Sequence, residues 1–148
     1  MKLTTLTAAT LVAFSSYAAM AEPVITVTDA RAFETPPTAM SGGGFMHIKN
    51  DGDTDDRLIG ITADFPKVEL HTTEFTDGIA KMMHADGVTV PAGGMVALEP
   101  GGYHVMFMGL RGDPLEVGET IPATLVFEQS GEIEVRFDVV ARTMEHSH

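Results

Sequence analysis

Pro100-Gly101-Gly102-Tyr103-His104-Val105-Met106-Phe107-Met108-Gly109 decides the fold. A Pro-Gly-Gly turn feeds a run that alternates with a period of two, the signature of a β-strand with two different faces. Tyr103, Val105 and Phe107 fall on one side and read as core. His104, Met106 and Met108 fall on the other, a row of nitrogen and thioether donors outside the main apolar layer.

The same alternation recurs upstream, where Val68 and Leu70 interleave with Lys67, Glu69 and His71, placing His71 on a charged, outward face. Short apolar and β-branched runs predict further strands at 24–28, 44–49, 56–63, 67–75, 95–98, 103–110, 123–128 and 133–140, with Gly, Pro, Asn and Asp clusters between them. No segment keeps a helical period over a comparable length. The expected class is all-β, a two-sheet sandwich or Greek-key barrel of about seven to nine strands. Asn50-Asp51-Gly52-Asp53 predicts a tight hairpin, Pro91-Ala92-Gly93-Gly94 a loop and Pro100-Gly101-Gly102 a sharp turn. The acidic group Asp51, Asp53, Asp55 and Asp56 fails as a calcium loop. Asp56 stands where that loop needs glycine, and Thr62 where it needs the bidentate glutamate.

Lys2, the apolar run from Leu3 to Phe14 and the small-residue end Ala19-Met20-Ala21 have the form of a secretory leader with cleavage after Ala21. The expected organisation is a leader over 1–21, one β domain over 22–141 and a short tail over 142–148. The formal charge is −12, and −13 without Lys2, a balance that opposes binding to nucleic acid or anionic lipid and suits a cationic cargo or a basic docking face. There is no cysteine, so disulfides, thiol redox chemistry and a blue-copper thiolate site are all excluded. Ten methionines are many for a small β domain. Imidazole combined with thioether, without thiolate, is a ligand set for copper(I), whereas zinc favours thiolate, imidazole or carboxylate.

His71 is followed after ten residues by Met82, after twenty-one more by His104, and after one more by Met106. In that spacing the chain resembles the PCuAC family of periplasmic copper chaperones. Val68-Glu69-Leu70-His71-Thr72-Thr73, Val90-Pro91-Ala92-Gly93-Gly94 and the Pro100–Met106 stretch look like the family's characteristic segments. The resemblance implies a cupredoxin-like β-sandwich with copper(I) on His71, Met82, His104 and Met106, the two histidines being solvent-side. It also implies periplasmic delivery toward the binuclear copper centre of cytochrome c oxidase subunit II, with Sco-type proteins as co-workers. Met144-Glu145-His146-Ser147-His148 is a candidate second site, for copper(II) on His146 and His148, or a plain disordered end. His47 and His84 fall outside the family pattern, although His84 lies two residues from Met82. Met108 is a candidate lining residue without a ligand role.

The alternatives to a copper chaperone are copper sequestration or resistance without a dedicated acceptor, a mononuclear metalloenzyme, and a structural sandwich with incidental His and Met. For the enzyme, Glu69 or Glu74 would have to serve as base, and nothing in the sequence fixes either against a metal.

Overall fold

The computed structural model describes residues 22–143 and, by itself, residue 13; the leader and the segment carrying His146 and His148 lie outside the described residues. Ten strands follow one another with no helix among them: β1 Ile25–Phe33, β2 Ser41–Asn50, β3 Asp56–Ala63, β4 Lys67–Thr76, β5 Ile79–His84, β6 Val88–Val90, β7 Met95–Leu98, β8 His104–Met108, β9 Thr120–Phe127 and β10 Gly131–Val140. They form one sheet ordered β5-β4-β8-β2-β1-β10-β9-β3-β6, with β7 also paired to β2. Every pairing is antiparallel except β1 with β10. β3 touches β4, and β6 touches β2 and β7, so the sheet folds over on itself around a shared interior. β5 and β6 remain as free edges of the hydrogen-bonded path, and the structure is therefore an open sandwich rather than a closed barrel.

The all-β class is as expected, and among the described residues the strands number ten against the expected seven to nine or so. β3 and β7 have the predicted bounds, whereas β5 and β6 were not anticipated. Almost every residue of β5 is exposed, so Ile79-Ala80-Lys81-Met82-Met83-His84 carries no alternation to read. Its presence follows from Asp77-Gly78, both at positive φ (52° and 78°), which close a two-residue turn matched to the strand twist.

The Asn50-Asp51-Gly52-Asp53 hairpin is also corrected, since β2 and β3 are not partners in the sheet. Asn50 is instead a buried bracket. Its carbonyl oxygen accepts from Val24 N and Gly52 N, and its amide donates to the carbonyls of Thr54 and Val90. The acidic group has structural work too. Asp55 caps Ala92 N, and buried Asp56 accepts from the backbone of Arg57, Gln129 and Ser130 and from the Ser130 hydroxyl.

The core collects the inward residues of most strands, with Met46, Ile48, Leu58, Leu98, Val105, Phe107, Leu125 and Phe137 almost wholly enclosed. Phe107 stacks edge-on against Phe137 and tilted against Phe65. Gly44 makes room for this ring, because a Cβ there would lie 2.8 Å from Phe107. Tyr103, expected in the core, precedes β8 and is 38% exposed. By anchoring Val105 and Phe107 inward, the core forces His104, Met106 and Met108 onto the opposite face.

Candidate metal centre

Strand register brings the chemistry together. Residues directly opposite in an antiparallel ladder share a face. His104 on β8 is opposite His71 on β4, and His71 is opposite His84 on β5, so three imidazoles form one row across three neighbouring strands. In the adjoining rows Met106 faces Glu69 on one side and Gly43 on the other, and Met82 faces Thr73. All four residues of the spacing motif thus lie on one sheet face, although β5 contributes Met82 from the very edge. The His71 and His104 ring centroids are 5.9 Å apart, and those of His71 and His84 are 6.2 Å apart.

Depth differs strongly along this face. His104 is only 4% exposed, contrary to the solvent-side position expected for it. The strand alternation correctly sends it away from the main core, but Phe45, a neighbour on the same face, has its ring centroid 6.3 Å from the imidazole and is itself stacked on Phe33. A small second apolar layer therefore roofs His104. His71 and Met106 are half-buried, and Met82 is 60% exposed. Met82, Met106 and His104 open onto a cavity of about 890 Å³, whose wall also includes Phe45, Thr73 and Arg142. Met108, opposite Lys67, is outside that wall.

The protonation pattern of His104 is set by its surroundings. Nδ1 lies 3.0 Å from the Gly102 carbonyl, which can only accept, so Nδ1 carries the hydrogen. In the neutral ring Nε2 is then a bare lone pair. It is buried and has no hydrogen-bond partner among the described residues, a condition that costs about 1–3 kcal/mol in a protein interior. A ring held by a carbonyl at one nitrogen and vacant at the other is the arrangement of a metal-ligating histidine.

His71 is held differently, with Nε2 2.9 Å from Glu69 Oε2, while Lys67 Nζ sits 2.8 Å from Oε1 of the same carboxylate. The hydrogen bond from His71, then that from Lys67, lowers the Glu69 pKa to about 2, so the group is a carboxylate at any physiological pH. Glu69 is thus fixed against a candidate ligand, which sequence spacing did not reveal. Its position two residues before His71 on the same strand face was the available signal. Glu74 is exposed and sits opposite Lys81, away from the row. His84 is exposed and lies between Glu69, 4.0 Å from Nδ1, and Asp86, 3.6 Å from Nε2. His47 lies elsewhere, 3.8 Å from Glu99.

Met82 can be removed without cost to the fold. Met82→Leu is expected to change unfolding free energy by less than about 0.5 kcal/mol, as for other exposed surface positions, while weakening copper(I) measurably in a chelator competition. Equal copper affinity in the two proteins would take Met82 out of the site.

The model of the LpqE-like family, described as putative lipoproteins, matches residues 25–139. The putative lipoprotein Lxx21020 of Leifsonia xyli subsp. xyli is 39% identical over 85 residues, covering 56% of this chain and 51% of that protein, so the chain spans about half the length of this curated relative. Among solved structures, the apo PCuAC domain from PmoF1 superposes with a TM-score of 0.69 at 25% identity, over 80% of this chain and 94% of that one. The copper-bound PCuAC domain from PmoF2 gives 0.66 at 28% identity, over 80% and 93%. Apo-DR1885 from Deinococcus radiodurans, which has also been solved in a copper(I) form, gives 0.60 at 30% identity, over 93% and 95%.

Proposed function

The chain belongs to the LpqE-like family and has the fold of the PCuAC domains, and from that premise we propose that it is an exported copper chaperone. In this reading it carries one copper(I) ion on His71, Met82, His104 and Met106 through the periplasm and yields it to an acceptor. The observation that carries the reading is the buried, partnerless Nε2 of His104, held in one tautomer by Gly102, with the His71 ring beside it and with Met82 and Met106 lining the cavity onto which His104 opens. Two imidazoles and two thioethers offer the soft, uncharged surroundings that a monovalent copper ion prefers, and a Met/His set survives an oxidising compartment where thiolates would be lost.

Transfer chemistry follows from the gradient of depth. His104 grips from beneath, whereas Met82 stands exposed on the edge strand, where an incoming ligand can replace it first. The acceptor in this reading is subunit II of cytochrome c oxidase, assisted by Sco-type thiol proteins, and the negative surface suits a basic docking face. No described helix is long and apolar enough to cross a membrane. His146 and His148 are proposed as an auxiliary copper(II) pair.

Anaerobic titration of the mature chain against a copper(I) chelator tests this, beside the variant with all four ligands changed to alanine. One equivalent bound through mixed nitrogen and sulfur donors, seen by X-ray absorption and lost in the variant, is the expected result. Equal binding by the variant would overturn the assignment. Delivery and sequestration use the same site, and deleting the gene separates them: lowered oxidase activity at low copper marks delivery, and sensitivity to excess copper alone marks sequestration.

A further inference from the structure

We propose that Glu69, His71 and His84 form a second cation site on the same sheet face, one that takes divalent copper or zinc and competes with copper(I) for His71. The three side chains each offer a ligand atom, and these atoms all lie within 4.8 Å of one another. Around a tetrahedral ion with bonds of about 2.0–2.2 Å, donors stand roughly 3.5 Å apart, so closing the set needs a modest side-chain adjustment. His84 can make it. It sits on the edge strand with its side chain 58% exposed, and its present neighbours, Glu69 and Asp86, are carboxylates rather than packed core.

The register supplies the geometry. His71 and His84 are directly opposite on β4 and β5, and Glu69 lies two residues from His71 on the same face. Lys67 engages Oε1 of Glu69, which leaves Oε2 turned toward both imidazoles, 2.9 Å from His71 Nε2 and 4.0 Å from His84 Nδ1. Two imidazoles and a carboxylate, with open solvent for a fourth ligand, suit copper(II) or zinc(II) and lack the thioethers that favour copper(I). The face would then present two donor sets that share His71: a soft set reaching inward to His104 and a borderline set reaching outward to His84. Only the competition rests on the copper(I) reading above; the divalent site stands on its own geometry.

The test uses the mature chain with His146→Ala and His148→Ala, so that the tail supplies no imidazole. Copper(II) is titrated with electron paramagnetic resonance as the readout, zinc(II) with calorimetry, and copper(I) by chelator competition. Glu69→Gln is expected to weaken the divalent ions by about tenfold or more and, because Glu69 bonds to His71, copper(I) as well, whereas His84→Ala is expected to weaken the divalent ions by the same factor while changing copper(I) affinity by less than about threefold. Met82→Leu/Met106→Leu is expected to do the reverse, and His71→Ala to weaken both. Divalent affinity unchanged in both His84→Ala and Glu69→Gln overturns the proposal, as does its loss in the double methionine variant, which would put the divalent ion in the four-ligand set. If the methionine variant keeps copper(I) while His84→Ala loses copper(II), the divalent site stands and the chaperone site falls.

Discussion

His104→Leu is expected to weaken copper(I) binding by more than about 100-fold while leaving the metal-free protein within about 1 kcal/mol of the wild type. Outer partners of a metal site cost 10–100-fold when mutated, so loss of a direct ligand should exceed that range. Stability responds in the opposite way from that at an ordinary buried residue. Leucine gives up the bond from Nδ1 to Gly102, worth about 0.5–1.5 kcal/mol, but also removes the unsatisfied Nε2, a penalty of about 1–3 kcal/mol. The apolar neighbour Phe45 receives a leucine without complaint. Thermal unfolding with and without copper(I) reads both effects. The wild type should gain about 2.7 kcal/mol at a free ion concentration one hundred times Kd, and the variant nearly nothing. A histidine kept for packing alone would show the converse, a less stable apo protein with unchanged copper affinity, and that result would sink the assignment.

The strand that carries His104 was readable because its two faces differ in kind: Val105 and Phe107 must go in, so His104 and Met106 must go out. What period-two reading gives is a direction, not a depth. The roof over His104 comes from Phe45 and Phe33 on β2 and β1, distant in sequence, and only the pairing of β8 with β2 and of β2 with β1 places it there. β5 failed for the opposite reason. As an exposed edge it has no buried side to impress a pattern on the sequence, yet it supplies Met82 and His84. The clearest misreading, Asn50 to Asp53, shows a limit of turn chemistry: those residue types mark a reversal, but here Asn50 spends its side chain on tying Val24, Thr54 and Val90 together, and the chain passes to a strand that β2 does not pair with. The spacing of the four candidate ligands was legible throughout, since it is a property of the chain. That the four residues share one face is a property of the register.

Asp56→Asn is expected to destabilise the protein by about 3 kcal/mol at neutral pH, through a site far from the candidate copper ligands in the sheet order. The Asp56 carboxylate is enclosed and accepts from four donors on two sides of the fold: Arg57 N and Gln129 N on Oδ1, Ser130 N and Ser130 Oγ on Oδ2. Hydrogen bonds to an ionised group contribute about 1.5–3 kcal/mol each in favourable cases, and an amide can accept at only one of its two positions, leaving donors stranded. Burial by itself would raise the Asp56 pKa, but the bonds from Ser130, Gln129 and Arg57 outweigh it and hold the group below its ordinary 3.8. The folded state therefore binds this proton less readily than the unfolded chain. The stabilisation is fully present above the ordinary carboxylate range and is lost as pH falls through the lower, folded value. Urea midpoints from pH 7 to about 2.5 should show a constant gap between wild type and Asp56→Asn at the upper end that narrows below about pH 4. Glu69, whose folded pKa is also depressed, keeps its acid response in both proteins and cancels from the difference. A gap that persists unchanged to the lowest pH, or no gap at neutral pH, would show that the Asp56 bonds do not secure the β9–β10 turn to the start of β3. Copper(I) affinity in the folded fraction should not move, because the four candidate ligands stand on β4, β5 and β8, and β3 pairs with none of these strands.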